Sequence, residues 1–493
     1  MSFPGLVIIS RLMRVFLCFD TGFLYYSVIN SQYSSMIVSF SISNFRSFLS
    51  EETFSLVASS RLSGSHDEHT VPIPDSDERV LRTAVLYGAN GAGKSNLFKA
   101  LRYVESVAVQ PREKNSGTGR EVFRFNGGAQ ETSSFDLQFI AKDKLYRFGF
   151  KANDQRITEE WLVQVEGARE RVLYERITDE NGKVTVDRQG LKHAGEKLKA
   201  LVTVGGPQNQ SFLATICVTL DASDYGDELS AVLSWFNRSL HLIGPDESFA
   251  ALGDLLAKNS NFKAFADDFL KSSSTGVDHL EVFKSEITED ELRALLNKDV
   301  ATKVLKDMSE DDDGSGAIVV LGEGNELVVE RTGENHYYRI TIQSAHEHEP
   351  GKVIPLELNE ESDGTLRLLN LIPALHHLQT SNAVFFIDEI DRSLHPILVL
   401  KFMEFFLKSC EGGQRQIIVT THESNLLDLD LLRRDEIWFA EKDQKAATRL
   451  YSLADFKVRK DLEIRKHYLQ GRFGAVPFLG DLDRLLAEQG KRE

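Results

Sequence analysis

The stretch Val85–Leu101 has the residue types and the spacing of a site that binds a nucleoside triphosphate. It contains the pattern G-x-x-x-x-G-K-S, in which bare backbone N–H groups and a helix N-terminus face an anion. Lys94 is expected to neutralise the β- and γ-phosphates, and the Ser95 hydroxyl is expected to bind Mg²⁺. We predict an ATP–Mg²⁺ site whose cofactor-binding residues are Gly88, Ala89, Asn90, Gly91, Ala92, Gly93, Lys94, Ser95 and Asn96.

Two adjacent carboxylates follow a predicted buried strand in the second half of the chain. The run Val384–Ile387 is apolar, and Asp388 and Glu389 come directly after it. A carboxylate at the C-terminal end of such a strand can hold Mg²⁺ through water, and a second one can orient or deprotonate the attacking water. Asp388 is therefore the predicted metal residue and Glu389 the predicted catalytic residue. A surface turn with two acids is the alternative, and the upstream loop disfavours it.

A histidine follows the next predicted strand. The run Ile417–Thr420 is apolar up to its last residue, and His422 comes two positions later. A neutral or protonated imidazole there could sense the γ-phosphate, whereas a lone histidine after a strand is otherwise an ordinary hydrogen-bonded residue. The order of loop, acidic strand and histidine favours a catalytic role for His422.

The segments around the loop predict a lobe made mostly of strands. Residues 36–189 contain strand-like runs on both sides of one helix, in which Leu97, Leu101 and Val104 recur at helical spacing. The later runs alternate apolar and polar residues between polar turns, which indicates an antiparallel meander. This region is predicted to be the N-terminal half of a nucleotide-binding domain.

The rest of the chain is predicted as a helical insertion followed by an α/β lobe. Residues 190–313 have the pattern of short helices separated by Gly, Pro and Ser, without the sustained heptads of a long coiled-coil arm. Residues 314–450 alternate strand and helix, and residues 451–493 form a C-terminal tail. The predicted fold class is α/β, with an antiparallel β-subdomain and an inserted helical subdomain.

The composition predicts a soluble globular protein of two or three structural units. The chain has 493 residues, of which 42% are hydrophobic and 27% charged. Its net charge of −17 argues against broad nonspecific binding of nucleic acid but does not exclude a local basic groove. Cys18, Cys217 and Cys410 lie far apart, which fits a reducing cytoplasm and predicts neither a disulfide nor a zinc framework.

Residues 1–35 form an apolar N-terminal extension that is expected to contribute little to the fold. Arg11, Arg14 and Asp20 interrupt the apolar run before it is long enough to span a bilayer, and a signal peptide is disfavoured. Met36 opens a segment typical of the start of a domain, so the first paired strand is predicted there. The extension is expected to be disordered or loosely docked.

The segment AHEHEP contains a second candidate site. Residues two apart on an extended segment share a face, so the imidazoles of His346 and His348 could bind one metal ion. The spacing places no third ligand, and a solvated loop is therefore favoured over a metal site.

The motifs together resemble ABC-type ATPase heads, including those of the SMC and RecF proteins. The likeness rests on the form G-x-N-G-x-G-K-S, the distant FFIDE and the histidine after the next strand. The stretch NFRSF also resembles the opening of these proteins, which implies that Arg46 lies near the nucleotide. In ESDGTLRLL the resemblance implies a signature loop that binds the γ-phosphate of a neighbouring subunit through Ser362, Gly364 and Thr365.

A closer resemblance is to the ABC-like AAA ATPases of bacterial antiphage defence: RloA, the ATPase of OLD-like systems and AriA of the PARIS system. It rests on SDGT, DEIDRSLHP, THESNLLD, LRRDEIWFAEK and YLQGRFGAVPFLGD. The last two stretches also have a plainer interpretation, as a final strand and a docking tail. The resemblance implies ATP hydrolysis, a homo-oligomer built on head-to-head dimers, a hexamer if the chain is AriA-like, and no membrane domain.

The resemblance also implies partners. About seventy residues follow His422, which is short for a nuclease domain, so an effector nuclease of the TOPRIM type is expected to act in trans. A phage-encoded protein is the expected kind of trigger. The alternative function is a DNA repair or maintenance ATPase of the RecF or SMC kind. A glutamine that couples the γ-phosphate to the helical lobe is not evident, and Gln138 is the only candidate that we consider.

Overall fold

The computed structural model describes residues 15–18, 33–114, 116–125, 131–191, 195–249, 252–296, 301, 316–322, 325–332, 334–349, 351–409, 413–457 and 463–476. The chain divides into two compact units. The larger unit comprises Ser31–Pro245, Asn382–Asp391 and Val399–Glu493. The smaller unit comprises Met1–Asn30, Asp246–Ser381 and Arg392–Leu398.

The strands follow one another along the chain in both units. They are β1 (Val15–Cys18), β2 (Ser35–Ser43), β3 (Glu52–Ser55), β4 (Thr70–Pro72), β5 (Arg79–Leu81), β6 (Thr83–Tyr87), β7 (Ser133–Ala141), β8 (Lys144–Ala152), β9 (Ile157–Glu166), β10 (Arg169–Thr178), β11 (Val184–Asp187), β12 (Leu240–Ile243), β13 (Val277–Ile287), β14 (Gly316–Gly322), β15 (Asn325–Thr332), β16 (Glu334–Glu349), β17 (Lys352–Glu357), β18 (Val384–Ile387), β19 (Gln416–Thr420), β20 (Ile437–Lys442) and β21 (Thr448–Ser452).

The α-helices lie between these strands. They are α1 (Lys94–Val109), α2 (Glu196–Val204), α3 (Phe212–Thr219), α4 (Asp227–Ser234), α5 (Leu252–Lys258), α6 (Ser260–Ser272), α7 (Glu289–Leu295), α8 (Asp363–Thr380), α9 (Pro396–Ser409) and α10 (Ile464–Leu469).

A mainly parallel sheet forms the centre of the larger unit. Its strand order is β12-β18-β19-β6-β20-β21, and β21 alone among these strands runs antiparallel to its neighbour. Strands β6, β18 and β19 are buried at every position, as their apolar runs predict for parallel strands covered on both faces. Because these three strands are parallel, their C-terminal ends lie along one edge of the sheet.

Helix α1 packs on this sheet through the apolar positions that the sequence predicts. Leu97, Leu101 and Val104 are buried, and the ring of Phe98 meets that of Phe386 on β18 edge to face, with centroids 5.4 Å apart. The helix begins at Lys94, directly after the glycine-rich loop. Burial of its apolar face therefore fixes the start of the helix against the sheet.

An antiparallel sheet completes the larger unit. Its strand order is β11-β10-β9-β8-β7-β2-β3. Strands β7 to β11 are consecutive and antiparallel, so the predicted meander is confirmed. Gln138 lies within β7, paired with Arg147 of β8, and so belongs to a regular strand rather than to a loop.

The smaller unit contains its own antiparallel sheet and helices. The strand order is β1-β14-β15-β16-β13, and β17 pairs with β16. Helices α6 and α8 meet through the ring of His376, which lies 5.2 Å from Phe262 and 5.4 Å from Phe265 between centroids. Burial lowers the pKa of the neighbouring His377 to about 4. The half-buried ring of His376 therefore packs against two aromatic side chains of α6.

Two expectations need correction here. Residues 190–313 contain helices α2 to α7, but they also contain β12, which belongs to the central sheet, and β13, which pairs with β16. β13 has the sequence VDHLEVFKSEI, in which apolar and polar residues do not alternate regularly, so the sequence pattern does not indicate a strand. Within residues 1–35, Val15–Cys18 pair with β14, and β2 begins at Ser35, so the first paired strand precedes Met36.

Other features of the sequence are placed as follows. His346 and His348 lie in β16 rather than in a loop, and Nε2 of His346 is 2.6 Å from a Glu361 carboxylate oxygen. Cys217 is a free thiol, and Cys410 lies outside the described residues. No helix in the described part of the chain is both long enough and apolar enough to cross a membrane.

A buried carboxylate joins the antiparallel sheet to α3. Glu160 on β9 accepts hydrogen bonds from the N–H groups of Phe212 (2.7 Å) and Leu213 (3.2 Å) and from the Tyr174 hydroxyl (2.7 Å). The guanidinium of Arg176 lies 3.9 Å away, and both charged side chains are fully buried. Glu160 thus accepts from N–H groups of the first turn of α3 and also neutralises the buried charge of Arg176.

Replacing Glu160 with Leu is expected to lower the free energy of unfolding by about 3–5 kcal/mol, because Arg176 keeps a buried charge without its carboxylate. The double variant Glu160→Leu, Arg176→Met should recover much of this loss, since both charges are then gone. Glu196→Ala, in an exposed pair with Lys199, is the control and should leave stability nearly unchanged. Urea unfolding measures all three. A single variant as stable as the control would contradict the argument.

Candidate nucleotide-binding site

The glycine-rich loop leaves β6 and turns into α1 with an open backbone. Gly88, Gly91 and Gly93 have positive φ angles of 157°, 77° and 115°, and Gly91 is exposed. Within the described residues, no acceptor is assigned to the N–H groups of Gly91, Gly93, Lys94 or Ser95. Such unpaired N–H groups at a helix N-terminus form an anion-binding site. The loop therefore has the donors that a phosphate chain requires.

The two outer glycines of the loop are held by close packing. A Cβ on Gly88 would lie 2.5 Å from the Ala440 carbonyl oxygen, and a Cβ on Gly93 would lie 2.1 Å from the Thr448 hydroxyl. That hydroxyl lies within hydrogen-bond distance of the Ala92 carbonyl oxygen (2.7 Å) and of the Ser47 hydroxyl oxygen (2.8 Å). Strands β20 and β21 thus fix the shape of the loop from behind.

Lys94 already has two acceptors at the loop. Its ammonium donates to the Gly88 carbonyl at 2.8 Å and to Nε2 of His422 at 2.9 Å. Burial lowers the pKa of Lys94, and the negative charges of Asp388, Asp391 and Glu389 oppose that shift. An ammonium has three N–H donors, so the third can bind a phosphate oxygen.

The Asp388-Glu389 pair is oriented by a threonine on the neighbouring strand. The Thr420 hydroxyl accepts from the Glu389 N–H (2.8 Å) and donates to a carboxylate oxygen of Asp388 (2.6 Å). Glu389 has φ +50°, a left-handed conformation that is uncommon for this residue type. Thr420 therefore fixes the Asp388 carboxylate and the backbone of Glu389 at the end of β18.

His422 faces the loop from the end of β19. Desolvation of the ring lowers its pKa, and the adjacent Lys94 ammonium lowers it further. The imidazole is therefore neutral near pH 7 and accepts at Nε2, so its proton is on Nδ1. The Asp391 carboxylate accepts a hydrogen bond from the backbone N–H of His422 at 3.1 Å, which links the histidine to the segment after β18.

Two further residues predicted to bind the nucleotide, Arg46 and Asn96, use their side chains in contacts with other residues of the protein. Arg46, at φ +49°, forms an ion pair with Glu121. Its neighbour Ser47 accepts a hydrogen bond from the Asn96 side chain at 2.8 Å, so the Asn44–Phe48 turn contacts the first turn of α1. Arg46 is thus attached to the loop through Ser47. Asn96 uses its amide in this contact.

The predicted signature residues lie at the start of α8, in the smaller unit. Ser362 is the N-cap, and its hydroxyl accepts from the Thr365 N–H at 3.2 Å. Gly364 faces the Ser393 carbonyl oxygen, which a Cβ would approach to 2.9 Å. Thr365 is buried. The local geometry is that of a capped helix N-terminus, as the sequence predicts.

The larger unit therefore brings four predicted residues, Lys94, Asp388, Glu389 and His422, to one edge of the central sheet. Residues 84–428, well over half of the chain, match the family model described as "AAA domain, putative AbiEii toxin, Type IV TA system". The chain belongs to this family. Among curated proteins none matches it.

Solved structures of SMC heads are similar over most of their length. One is an SMC head bound to the C-terminal winged-helix domain of ScpA (12% identity, 84% of this chain, 97% of that chain, TM-score 0.37). A second is the SMC head domain from Thermotoga maritima (11% identity, 84% of this chain, 98% of that chain, TM-score 0.33). A third is an Smc head with an extended coiled coil, bound to the C-terminal domain of ScpA derived from Pyrococcus furiosus (11% identity, 85% of this chain, 96% of that chain, TM-score 0.34).

Four supporting residues of this site are not evident from the sequence. Thr420, Asp391, Ser47 and Thr448 hold the carboxylates, the histidine and the loop by the hydrogen bonds given above. A threonine ending a buried strand opposite an acidic pair is the one signal that could have pointed to Thr420. Ser47 and Thr448 are 401 positions apart, and no local pattern relates them.

The Lys94→Ala variant should lose tight binding of ATP–Mg²⁺, because the substitution removes the buried cation and leaves only the N–H groups of the glycine-rich loop. Lys99→Ala is the matched control, since Lys99 is exposed on the same helix. Titration of each variant with a fluorescent ATP analogue measures the affinity. Equal affinities in the two variants would place the triphosphate elsewhere.

Gly93→Ala should also abolish binding, because its Cβ would overlap the Thr448 hydroxyl at a φ that disfavours any side chain. Gly91→Ala has the same type of backbone strain but nothing within 4 Å of the new Cβ, and it should retain measurable binding. Circular dichroism confirms that both variants fold. Weaker binding by the Gly91 variant than by the Gly93 variant would show that close packing behind the loop is not what matters.

Proposed function

We propose that this protein is an ATPase that serves as the sensor and scaffold of an antiphage, abortive-infection system and controls an effector nuclease in trans. The observation that carries the ATPase part is the meeting of Lys94, Asp388, Glu389 and His422 at one sheet edge. The defence part draws on the family description, which names a toxin of a type IV toxin–antitoxin system. It also draws on the resemblance of the motifs to defence ATPases.

The residues divide the work of hydrolysis among them. The open N–H groups of the loop and the Lys94 ammonium bind the phosphates. Ser95 and Asp388 would hold Mg²⁺, which when bound would supply positive charge against the phosphate oxygens. Glu389 orients and deprotonates the attacking water. His422, neutral and in contact with Lys94, reports the state of the γ-phosphate to β19. Each role uses a group whose position is fixed by the sheet edge.

A second subunit completes the site in this proposal. Ser362, Gly364 and Thr365 at the start of α8 present a capped helix N-terminus, which favours a negative charge. In a head-to-head dimer these residues bind the γ-phosphate held by the neighbour. ATP then joins two heads, and dimers assemble further into a larger ring.

The nuclease partner is of the TOPRIM type, and a phage protein is the trigger. Hydrolysis or binding of ATP sets whether the scaffold retains the nuclease, and the complex works in the cytoplasm. The competing function is DNA maintenance. Tight, salt-sensitive binding of duplex DNA by the ATP-bound protein in a gel-shift assay would favour that competitor.

Glu389→Gln should bind ATP normally and hydrolyse it at least about a hundredfold more slowly, because the amide cannot accept the proton of the water. The variant should accumulate as an ATP-bound dimer. Phosphate release and size-exclusion chromatography with multi-angle scattering give the two readouts. Glu404→Gln, on α9, is the control and should behave as wild type. Normal hydrolysis by the Glu389 variant would move the base to another residue.

Ser362→Arg should leave ATP binding intact but block hydrolysis, because the added side chain obstructs the neighbour's site. Mixing it with Lys94→Ala should restore part of the activity, since one composite site in each mixed dimer is then intact. Steady-state hydrolysis at several protein concentrations tests this. An active Ser362 variant, together with wild-type activity per subunit that is unchanged by dilution, would exclude a composite site.

A further inference from the structure

A cluster of metal-ligating side chains lies in the larger unit, away from the loop, at the turn before β4. His66, Glu68 and His69 belong to the sequence SHDEH, in which Asp67–His69 form one turn of 3₁₀ helix. The two imidazole rings stack, with centroids 5.0 Å apart and planes inclined by 21°. One potential ligand atom from each of the three side chains lies within 4.8 Å of the other two.

Each imidazole uses one ring nitrogen in a hydrogen bond to a segment distant in sequence. Nε2 of His66 lies 3.0 Å from the Leu429 carbonyl oxygen. Nδ1 of His69 lies 3.0 Å and 3.1 Å from the two carboxylate oxygens of the buried Glu436. A carbonyl and a carboxylate only accept hydrogen bonds, so these two nitrogens carry the protons of the rings.

The other nitrogen of each ring therefore presents a lone pair. Nδ1 of His66 is 3.3 Å and Nε2 of His69 is 3.9 Å from the same carboxylate oxygen of Glu68. Two ring nitrogens with lone pairs and one carboxylate oxygen thus converge on one point. The N–H groups of the two neutral rings are directed elsewhere. A cation at this point, either a proton on a ring or a metal ion, resolves the mutual repulsion.

We propose that His66, Glu68 and His69 bind one divalent transition-metal ion of the zinc class. Nitrogen and oxygen ligands at about 2.0–2.1 Å in tetrahedral geometry lie about 3.3 Å from one another, close to the separations seen here. Two imidazoles and one carboxylate form a donor set suited to Zn²⁺. Glu68 is 53% and His66 24% exposed, so water can supply the fourth ligand from the solvent side.

The hydrogen bonds to Leu429 and Glu436 are the second shell of this site. A ligating histidine almost always donates its other N–H to a carboxylate or a carbonyl, and both arrangements occur here. His66 also has φ +48°, a left-handed conformation that directs its ring towards His69. The metal would join the turn before β4 to the segment that leads into β20, the strand next to β6.

Nearby contacts already draw these two segments together. The Arg433 guanidinium donates to the Ser65 carbonyl, and the Ser59 N–H donates to the Asp435 carboxylate at 2.7 Å. The site thus lies between two chain segments that are pre-positioned without the ion. It is preformed, which reduces the ordering cost of binding.

Zn²⁺ alone, titrated into the metal-free full-length protein against a chromophoric chelator, should bind as a single ion per chain and raise Tm. Co²⁺ in its place should give the visible absorption of a tetrahedral site. Glu68→Gln and His66→Ala should each remove this binding while the chain stays folded, because both side chains are partly exposed. Glu436→Gln should weaken it about ten- to hundredfold, as expected for a second-shell carboxylate.

His279→Ala is the matched control. His279 also lies beside two carboxylates, Asp278 at 3.1 Å and Glu281 at 3.4 Å, but its two nitrogens face different acids and so do not converge. This variant should keep wild-type Zn²⁺ affinity. Equal Zn²⁺ affinity in wild type and in Glu68→Gln, or loss of affinity only in His279→Ala, would overturn the proposal. Absence of Zn²⁺ binding by wild type would also overturn it.

Discussion

Parallel pairing of β6, β19 and β18 is the constraint on which the nucleotide site depends. The loop and the acidic pair are nearly 300 residues apart in the chain, and they meet only because their strands run in the same direction on either side of β19. The polar side chains of these strands lie only at the strand ends. Burial on both faces does not by itself distinguish one register from another, so contacts of these end residues set the register. A slip of one residue would turn the ends of the strands away from one another.

The polar residues at the end of β19 show how this arrangement is maintained. Thr420 is fully buried, and its hydroxyl accepts from the Glu389 N–H and donates to the Asp388 carboxylate, both directly after β18. A buried hydroxyl without partners would cost about 1–3 kcal/mol, so the contact that fixes the Asp388 carboxylate also favours this pairing of strands over others. One pair of hydrogen bonds thus serves both the stability of the sheet and the position of the Asp388 carboxylate.

Sequence patterns predict the loop, the acidic strand, the histidine and the meander because each is local. Glycine spacing, a four-residue apolar run and two-residue alternation depend on neighbouring positions only, and the observed elements agree with them. The missed features are those in which distant segments meet. Thr448 contacts the loop from β21. Strand β13 could not be predicted because its apolar and polar residues do not alternate regularly, and its pairing with the distant β16 decides its conformation. The convergence of His66, Glu68 and His69 depends likewise on Leu429 and Glu436, which no spacing relates to the turn.

The contact between Lys94 and His422 joins two side chains that are 328 positions apart in the chain. It connects the first residue of α1 to the residue two positions after β19, so a side-chain hydrogen bond supplements the backbone pairing of β6 with β19. Because the imidazole uses one of the three ammonium donors and the Gly88 carbonyl uses a second, the protein itself sets the direction of the third. The lysine is thereby oriented in advance, and less side-chain entropy has to be lost when that third donor is used.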